Sequence, residues 1–279
     1  MKIFIHEGKV FLLQNKSVYT YEDFTADIKA LKEKNKEIPI FSIGRSVQGK
    51  PIFAIKLGNG TRRIFYSGAY HGMEHLTAKV LFEFVSGLVE GKYGDILKGV
   101  TLYVVPMVNP DGIEIAATGK PWQANARGVD INHNFDAMWH LSKALEESYG
   151  ITEPGATRYG GEFPESEPEA KAVANFTRQN KFDMVMALHS QGQVIYYDFC
   201  GVVPKGTEEY LSRFEKASVY RRELPSGISS YGGYKDWFIK KFKKPGFTVE
   251  IGKGENPLPL KVAEEVYKEV EGILQEGLK

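Results

Sequence analysis

Four side chains of the kinds that bind metal ions or move protons are spread along this 279-residue chain: His71, Glu74, His189 and Glu250. The run His71-Gly72-Met73-Glu74 sets an imidazole and a carboxylate three residues apart, where a loop meets an apolar helical pattern. With the helix starting near Met73, Glu74 falls in its first turn and His71 lies just before it, so both reach one point. A catalytic zinc needs three protein ligands of N or O type and an open position for water. His189 ends a buried-strand pattern and is the candidate third ligand. Glu250 ends another, and its carboxylate is a candidate member of the same site. Zinc in such a site brings the pKa of bound water towards ~7. His75 competes as a ligand, because His71 and His75 are also one helical turn apart. The zinc-protease motif with that spacing has Glu directly after its first His, however, and Gly72 stands there.

The elements that must position these groups alternate along the chain. Residues 2–13 read as two short strands around Glu7-Gly8-Lys9, and residues 21–35 as a helix with Phe24, Ile28 and Leu31 on one face and Thr20 as N-cap. Strands are expected at 39–43, 52–57, 63–67, 100–105, 182–188, 194–199 and 246–251. Helices are expected at 74–89, 166–179, 208–218, 233–241 and 260–275. Residues 109–165 are rich in Asn, Gly, Pro and aromatics with little periodicity, a composition typical of functional loops. Such alternation argues for an α/β fold, its mixed or mainly parallel sheet covered by helices on both faces. Ligands in such sheets sit at the carboxyl ends of strands. His71, Asn109, His189 and Glu250 all fall at or just after such ends.

Composition narrows the class. Hydrophobic residues make up 42% and charged residues 25%, enough for a full core without staples. The net charge is +1, from 36 Lys+Arg against 35 Asp+Glu, which gives no electrostatic reason to expect nucleic acid or a membrane as partner. One domain over residues 1–279 is expected, with about residues 1–18 as a short N-terminal strand extension. The single cysteine, Cys200, has no internal disulfide partner and reads as a small buried residue. No apolar stretch approaches the ~20 residues that span a bilayer. His6 and Glu7 cut the first apolar run short of a signal-peptide core, so a cytoplasmic location is expected.

Further marks follow one another in a fixed order. They are Gly44-Arg45-Ser46 with Gly49-Lys50-Pro51, His71-x-x-Glu74, Asn109-Pro110-Asp111-Gly112, and Gly128-Val129-Asp130-x-Asn132-x-Asn134-Phe135. Ser166-Glu167-Pro168-Glu169, His189-Ser190, Gly232-Gly233-x-x-Asp236-Trp237 and Phe247-Thr248-x-Glu250 complete the set. In these the chain, from about residue 19 to residue 254, resembles the zinc carboxypeptidases, the family that includes the pancreatic enzymes. The resemblance implies an eight-stranded mixed, mostly parallel sheet sandwiched between helices. It implies one Zn2+ held by His71, Glu74 and His189, with Glu250 as base. Asp130 would orient the ring of His71, as outer partners of metal ligands do.

Two departures bear on substrate. Where ordinary members have an oxyanion-stabilising arginine after the tryptophan, Trp122 is followed by Gln123, which donates a hydrogen bond but carries no charge. Arg127, four residues on, is the candidate replacement. Ordinary members also bind the terminal carboxylate with an Asn-Arg pair, whereas this chain has Asn132-His133 and lacks the planar fork. The position of the family's mobile tyrosine holds Ile228, which leaves Tyr231 and Tyr234 as nearby candidates and Lys235 as a further partner for a substrate carboxylate. The segments 122–130, 189–192 and 231–237 are similar to those of bacterial γ-D-glutamyl-diaminopimelate peptidases, which act on peptidoglycan stem peptides. The alternatives are a conventional carboxypeptidase removing one C-terminal residue, a zinc deacylase or amidase on the same sheet, and an inactive module that binds murein peptides.

Overall fold

The computed structural model describes residues 17–279 in full and, ahead of them, the backbone of two strands, β1 (Ile3–His6) and β2 (Lys9–Leu12). These pair antiparallel with His6 opposite Lys9, so the two short strands expected there are present; Glu7 and Gly8 lie outside the described residues. A separate sheet of eight strands forms the centre of the fold. Its members are β3 (Ile40–Arg45), β4 (Pro51–Gly58), β5 (Arg62–Gly68), β6 (Val100–Val105), β7 (Met184–His189), β8 (Val194–Tyr196), β9 (Arg221–Glu223) and β10 (Gly246–Glu250), in the order β3-β4-β6-β5-β7-β10-β8-β9. The four central neighbours β6, β5, β7 and β10 run parallel; β3, β4 and β8 pair antiparallel to their inner neighbours. The mixed, mostly parallel sheet expected from the resemblance is therefore present.

Period-two alternation along the central strands divides the core. Ile64 and Tyr66 of β5, Leu102 and Val104 of β6, and Met184, Met186 and Leu188 of β7 enter one apolar cluster. Phe65, Tyr103, Val105, Val185 and Ala187 enter a second on the opposite face. The first cluster is covered by α1 (Tyr21–Lys34), α2 (His75–Val89), α6 (Thr207–Ala217) and α8 (Ala263–Glu276), which contribute Phe24, Phe84, Leu211 and Ile273. The second is covered by α5 (Pro168–Asn180) and α7 (Tyr234–Phe242) through Val173, Phe176, Trp237 and Phe238. All these strands are buried on both faces, which is why they read as continuous apolar runs. Helix α1 starts with a reciprocal capping box between Thr20 and Asp23, as its sequence predicts. Helix α5 lies so close to β3 that a Cβ on Gly44 would sit 2.6 Å from the Cβ of Ala172.

Residues 109–165 hold two helices that the sequence did not announce, α3 (Pro110–Ala117) and α4 (Trp139–Ser148). Cys200 is exposed rather than buried; it sits in a turn with φ 51°, outside either core. Among the described residues no helix is long and apolar enough to cross a membrane.

Candidate metal centre

The carboxyl ends of the four parallel strands converge on one edge, and the expected groups are there. Strand β5 ends at Gly68 and leads into the loop that carries His71. This loop is fastened from outside. Asn109, just past β6, donates through Nδ2 to the carbonyls of Tyr70 and Ala124, each at 3.0 Å, and accepts from the N–H of Gly112 at 2.9 Å. Gly72 donates its N–H to the carbonyl of Gln123 at 2.9 Å, and a Cβ there would lie 2.6 Å from the carbonyl oxygen of Trp122, so only glycine fits. Helix α2 begins one residue later than expected, which makes Glu74 its N-cap rather than part of its first turn. At that position the helix dipole favours the carboxylate.

His189 is the last residue of β7 and Glu250 the last of β10, and the parallel register places them directly across from each other. Residues 185, 187 and 189 share a face, as do 246, 248 and 250, and the two faces coincide on the α7 side of the sheet. The ring of His189 is stacked on Tyr70, with centroids 5.4 Å apart and planes at 15°, and Tyr70 is stacked in turn on Tyr234.

His71, Glu74 and His189 each offer a ligand atom, all within 4.8 Å of one another. His71 Nδ1 is 2.7 Å from Glu74 Oε1, His189 Nδ1 is 3.0 Å from Glu74 Oε2, and the two Nδ1 atoms face each other at 3.3 Å. On its far side His71 donates from Nε2 to Asp130 Oδ1 at 3.1 Å, which fixes the proton on Nε2 and leaves the Nδ1 lone pair directed at the cluster. Glu74 Oε2 and His189 Nε2 are buried without a hydrogen-bond partner; the contact of Oε2 with His189 is close but not aligned as a hydrogen bond. Two imidazole Nδ1 atoms and a buried carboxylate face one point, an arrangement suited to a cation between them. Two nitrogens and a carboxylate with space beside them suit zinc, so the residues present fit the metal.

The electrostatics point the same way. Burial opposes charge on Glu74, but His71 and His189 hold its carboxyl well below the usual range. Asp130 is likewise buried, yet His71 and then His133 hold it far below an ordinary carboxyl. For His71, burial disfavours the charged form, but Glu74 and Asp130 outweigh it and drive its pKa well up. Glu250 behaves in the opposite way: burial first, then the charge of Glu74, push its carboxyl up to about 8, with His71 opposing. A carboxyl so placed both takes and returns a proton near neutrality. His75 is excluded from the cluster: its Nδ1 accepts the N–H of Tyr19 at 3.1 Å, and burial pushes its pKa down to about 4.

The cluster opens into a cavity of about 310 Å³. Gln123, Asn132 and His133 line it, as the sequence suggests. Gln123 accepts from the hydroxyl of Thr157, leaving its amide N–H groups to donate. His133 is buried, bonds Ser142 through Nδ1, and is kept below its ordinary pKa first by burial, so it offers no permanent cation. Three other expectations are corrected. Arg127 does not reach the cavity; its guanidinium points outward and lies 3.6 Å from Glu167. Tyr234 is fully buried and shares a hydrogen bond with Thr177, because the first turn of α7 faces the core; it serves the site from behind, through Tyr70. Tyr231 packs edge-on to Phe199 beside the second core cluster, outside the cavity lining. Lys235 lines the cavity but is buried, 2.5 Å from Asp236 Oδ1. Arg158, Tyr196 and Glu223 also line it and were not singled out by sequence.

Comparison with known proteins agrees with this geometry. The family model for zinc carboxypeptidases matches residues 24–271. The chain is 36% identical to gamma-D-glutamyl-L-diamino acid endopeptidase 1 of Lysinibacillus sphaericus over 298 aligned positions, covering 96% of this chain and 74% of that protein. In fold it is similar to bovine thrombin-activatable fibrinolysis inhibitor, with TM-score 0.78, 23% identity, and 95% and 97% of the two chains covered. Murein-tripeptide amidase MpaA from Escherichia coli O157 superposes with TM-score 0.58 and 21% identity over 85% of this chain and 91% of that one. This chain belongs to the zinc carboxypeptidase family.

Proposed function

We propose that the chain hydrolyses the γ-D-glutamyl–diaminopimelate bond of peptidoglycan stem peptides. The carrying observation is an intact His71-Glu74-His189 cluster with Glu250 beside it, in a cavity whose Asn132-His133 pair lacks the fork that grips a C-terminal carboxylate. The name of the 36%-identical relative, a γ-D-glutamyl-diamino acid endopeptidase, supports the same reading.

In this mechanism His71, Glu74 and His189 would hold the ion, and Asp130, which accepts from His71 Nε2, would keep the ring turned towards it. When bound, zinc activates water and polarises the scissile carbonyl. Glu250 accepts a proton as the water oxygen forms its bond to the carbonyl carbon. When the C–N bond breaks, Glu250 gives that proton to the departing amine. Gln123 supplies a neutral N–H donor towards the oxygen that becomes negative. The products are a free γ-carboxylate and the amine of the diamino acid.

The test is mass spectrometry of products from L-Ala-γ-D-Glu-diaminopimelate set beside N-blocked α-linked dipeptides. Release of L-Ala-D-Glu with the dipeptides left intact is expected. Removal of C-terminal residues from the dipeptides at equal or greater kcat/KM would identify a conventional carboxypeptidase instead.

A further inference from the structure

We propose that Arg158 binds a carboxylate of the substrate, filling the role that the Asn132-His133 pair does not. The inference rests on the stem-peptide reading of the site. It begins from the charge of the cavity. Glu74, Asp130, Glu223, Asp236 and Glu250 all line it, and only two permanent cations stand against them. One of these, Lys235, is buried in an ion pair with Asp236 and donates to the carbonyl of Asp198, so it is already committed. The other, Arg158, has no carboxylate within ion-pair distance among the described residues. Its one side-chain hydrogen bond is a long one, 3.3 Å from a guanidinium N–H to the hydroxyl of Ser229. A planar guanidinium with five donors and a single weak protein contact is matched to a bidentate anion.

The backbone around Arg158 is built into the site. Its N–H donates to Asp130 Oδ2 at 3.0 Å, so the residue hangs from the same carboxylate that orients His71. The next carbonyl, of Tyr159, accepts the N–H of Asp130 at 2.8 Å, and the carbonyl of Ala156 accepts from Gln123 and Ala124. Arg158 itself has φ 65°, in the left-handed region that long side chains seldom occupy. The backbone of the arginine is thus tied to the partner of His71 by a bond that its side chain does not need.

Substrate chemistry offers a carboxylate from two sides. A γ-linked D-glutamyl residue keeps its α-carboxylate free on the acyl side of the scissile bond. Diaminopimelate carries carboxylates on the amine side. An α-linked peptide has no anion at the first of these places.

The experiment measures kcat/KM for the zinc-loaded wild type, Arg158→Asn and Arg158→Lys on the parent tripeptide and on three analogues. Each analogue lacks one carboxylate: the glutamyl α-carboxyl as its amide, the C-terminal carboxyl as its amide, or lysine in place of diaminopimelate. Asn tolerates the left-handed backbone and keeps the N–H to Asp130, and Lys keeps the charge without the fork. On the parent, Arg158→Asn should lose roughly 10- to 100-fold, as for a charge-assisted hydrogen bond to substrate, with partial recovery in Arg158→Lys. On one analogue the wild type should already show that loss and Arg158→Asn should add little; that analogue names the carboxylate. Equal losses on all four substrates would show a purely structural residue and overturn the proposal, as would no loss on any. A wild type inactive on the parent tripeptide would refute the stem-peptide reading itself. In that case the same variants on an N-blocked dipeptide, with its C-terminus free or amidated, still decide whether Arg158 binds a carboxylate.

Discussion

Replacing Asp130 by Asn isolates the contribution of the group behind the metal ligand. Asp130 accepts three hydrogen bonds: from His71 Nε2 at 3.1 Å and Asn132 N at 3.1 Å, both on Oδ1, and from Arg158 N at 3.0 Å on Oδ2. An asparagine has one acceptor oxygen and one NH2 group. With its oxygen at the Oδ1 position, the NH2 confronts the N–H of Arg158; turned over, it confronts both His71 and Asn132. Either orientation breaks at least one bond, and both remove the negative charge that holds the His71 ring. Loss of such a partner lowers metal affinity about 10- to 100-fold, which is about 1.4 to 2.7 kcal/mol. The assay is a zinc competition titration against a chromophoric chelator at fixed pH and ionic strength, with circular dichroism to confirm the fold. Zinc affinity of a folded Asp130→Asn protein within twofold of the wild type would refute the reasoning, since His71 would then be oriented without Asp130.

Asn109→Ala removes two buried bonds from Nδ2 that tie the His71 loop to the 122–125 segment, and the N-cap bond from Gly112 N–H; denaturant unfolding should show a loss of about 2–4 kcal/mol. Glu169 is buried, accepts from Val47 N and Asn125 Nδ2, and has its carboxyl pushed up to about 7 by burial first. Its folded pKa lies above the unfolded value, so its contribution to stability is present below about pH 4.5 and is lost as the pH rises through about 7. The share of wild-type stability that Glu169 contributes should therefore fall between pH 5 and 8 by at most roughly 3 kcal/mol. In Glu169→Gln that slope should flatten, even though the amide itself costs stability at all pH values; an unchanged slope in thermal melts would assign the titration elsewhere.

The sequence carried much of the fold because its central strands are buried on both faces. Residues 100–105 form a continuous β-branched and apolar run, and β6 covers that span. It carried the candidate metal centre for a related reason: functional groups sit where buried runs stop, and the candidate ligand His189 and the candidate base Glu250 each end one. What it did not carry lies where burial leaves no period. Helix α4 buries mainly the polar residues Ser142 and Glu146, so no apolar stripe marks it, and α3 is a short helix opened by Asn109-Pro110 with Gly112 inside. Strand β9 is three polar residues at the sheet edge. Tyr234 and Tyr231 resemble binding residues by type, but the rotation of α7 and the packing on Phe199 turn them inward, which type and spacing cannot show. Arg158 had no signal either: it is one arginine in an irregular stretch, and its place depends on a left-handed backbone and on contacts with remote Asp130.

The most direct test of the central claim is to measure zinc content and stem-peptide turnover together for wild type and Glu250→Gln. Three ligands separate from the base predict about one zinc per chain in both proteins, with turnover in the variant reduced by orders of magnitude at little change in metal affinity. A variant that hydrolyses L-Ala-γ-D-Glu-diaminopimelate at a rate near the wild type, or a wild type that binds no zinc stoichiometrically, would contradict the account.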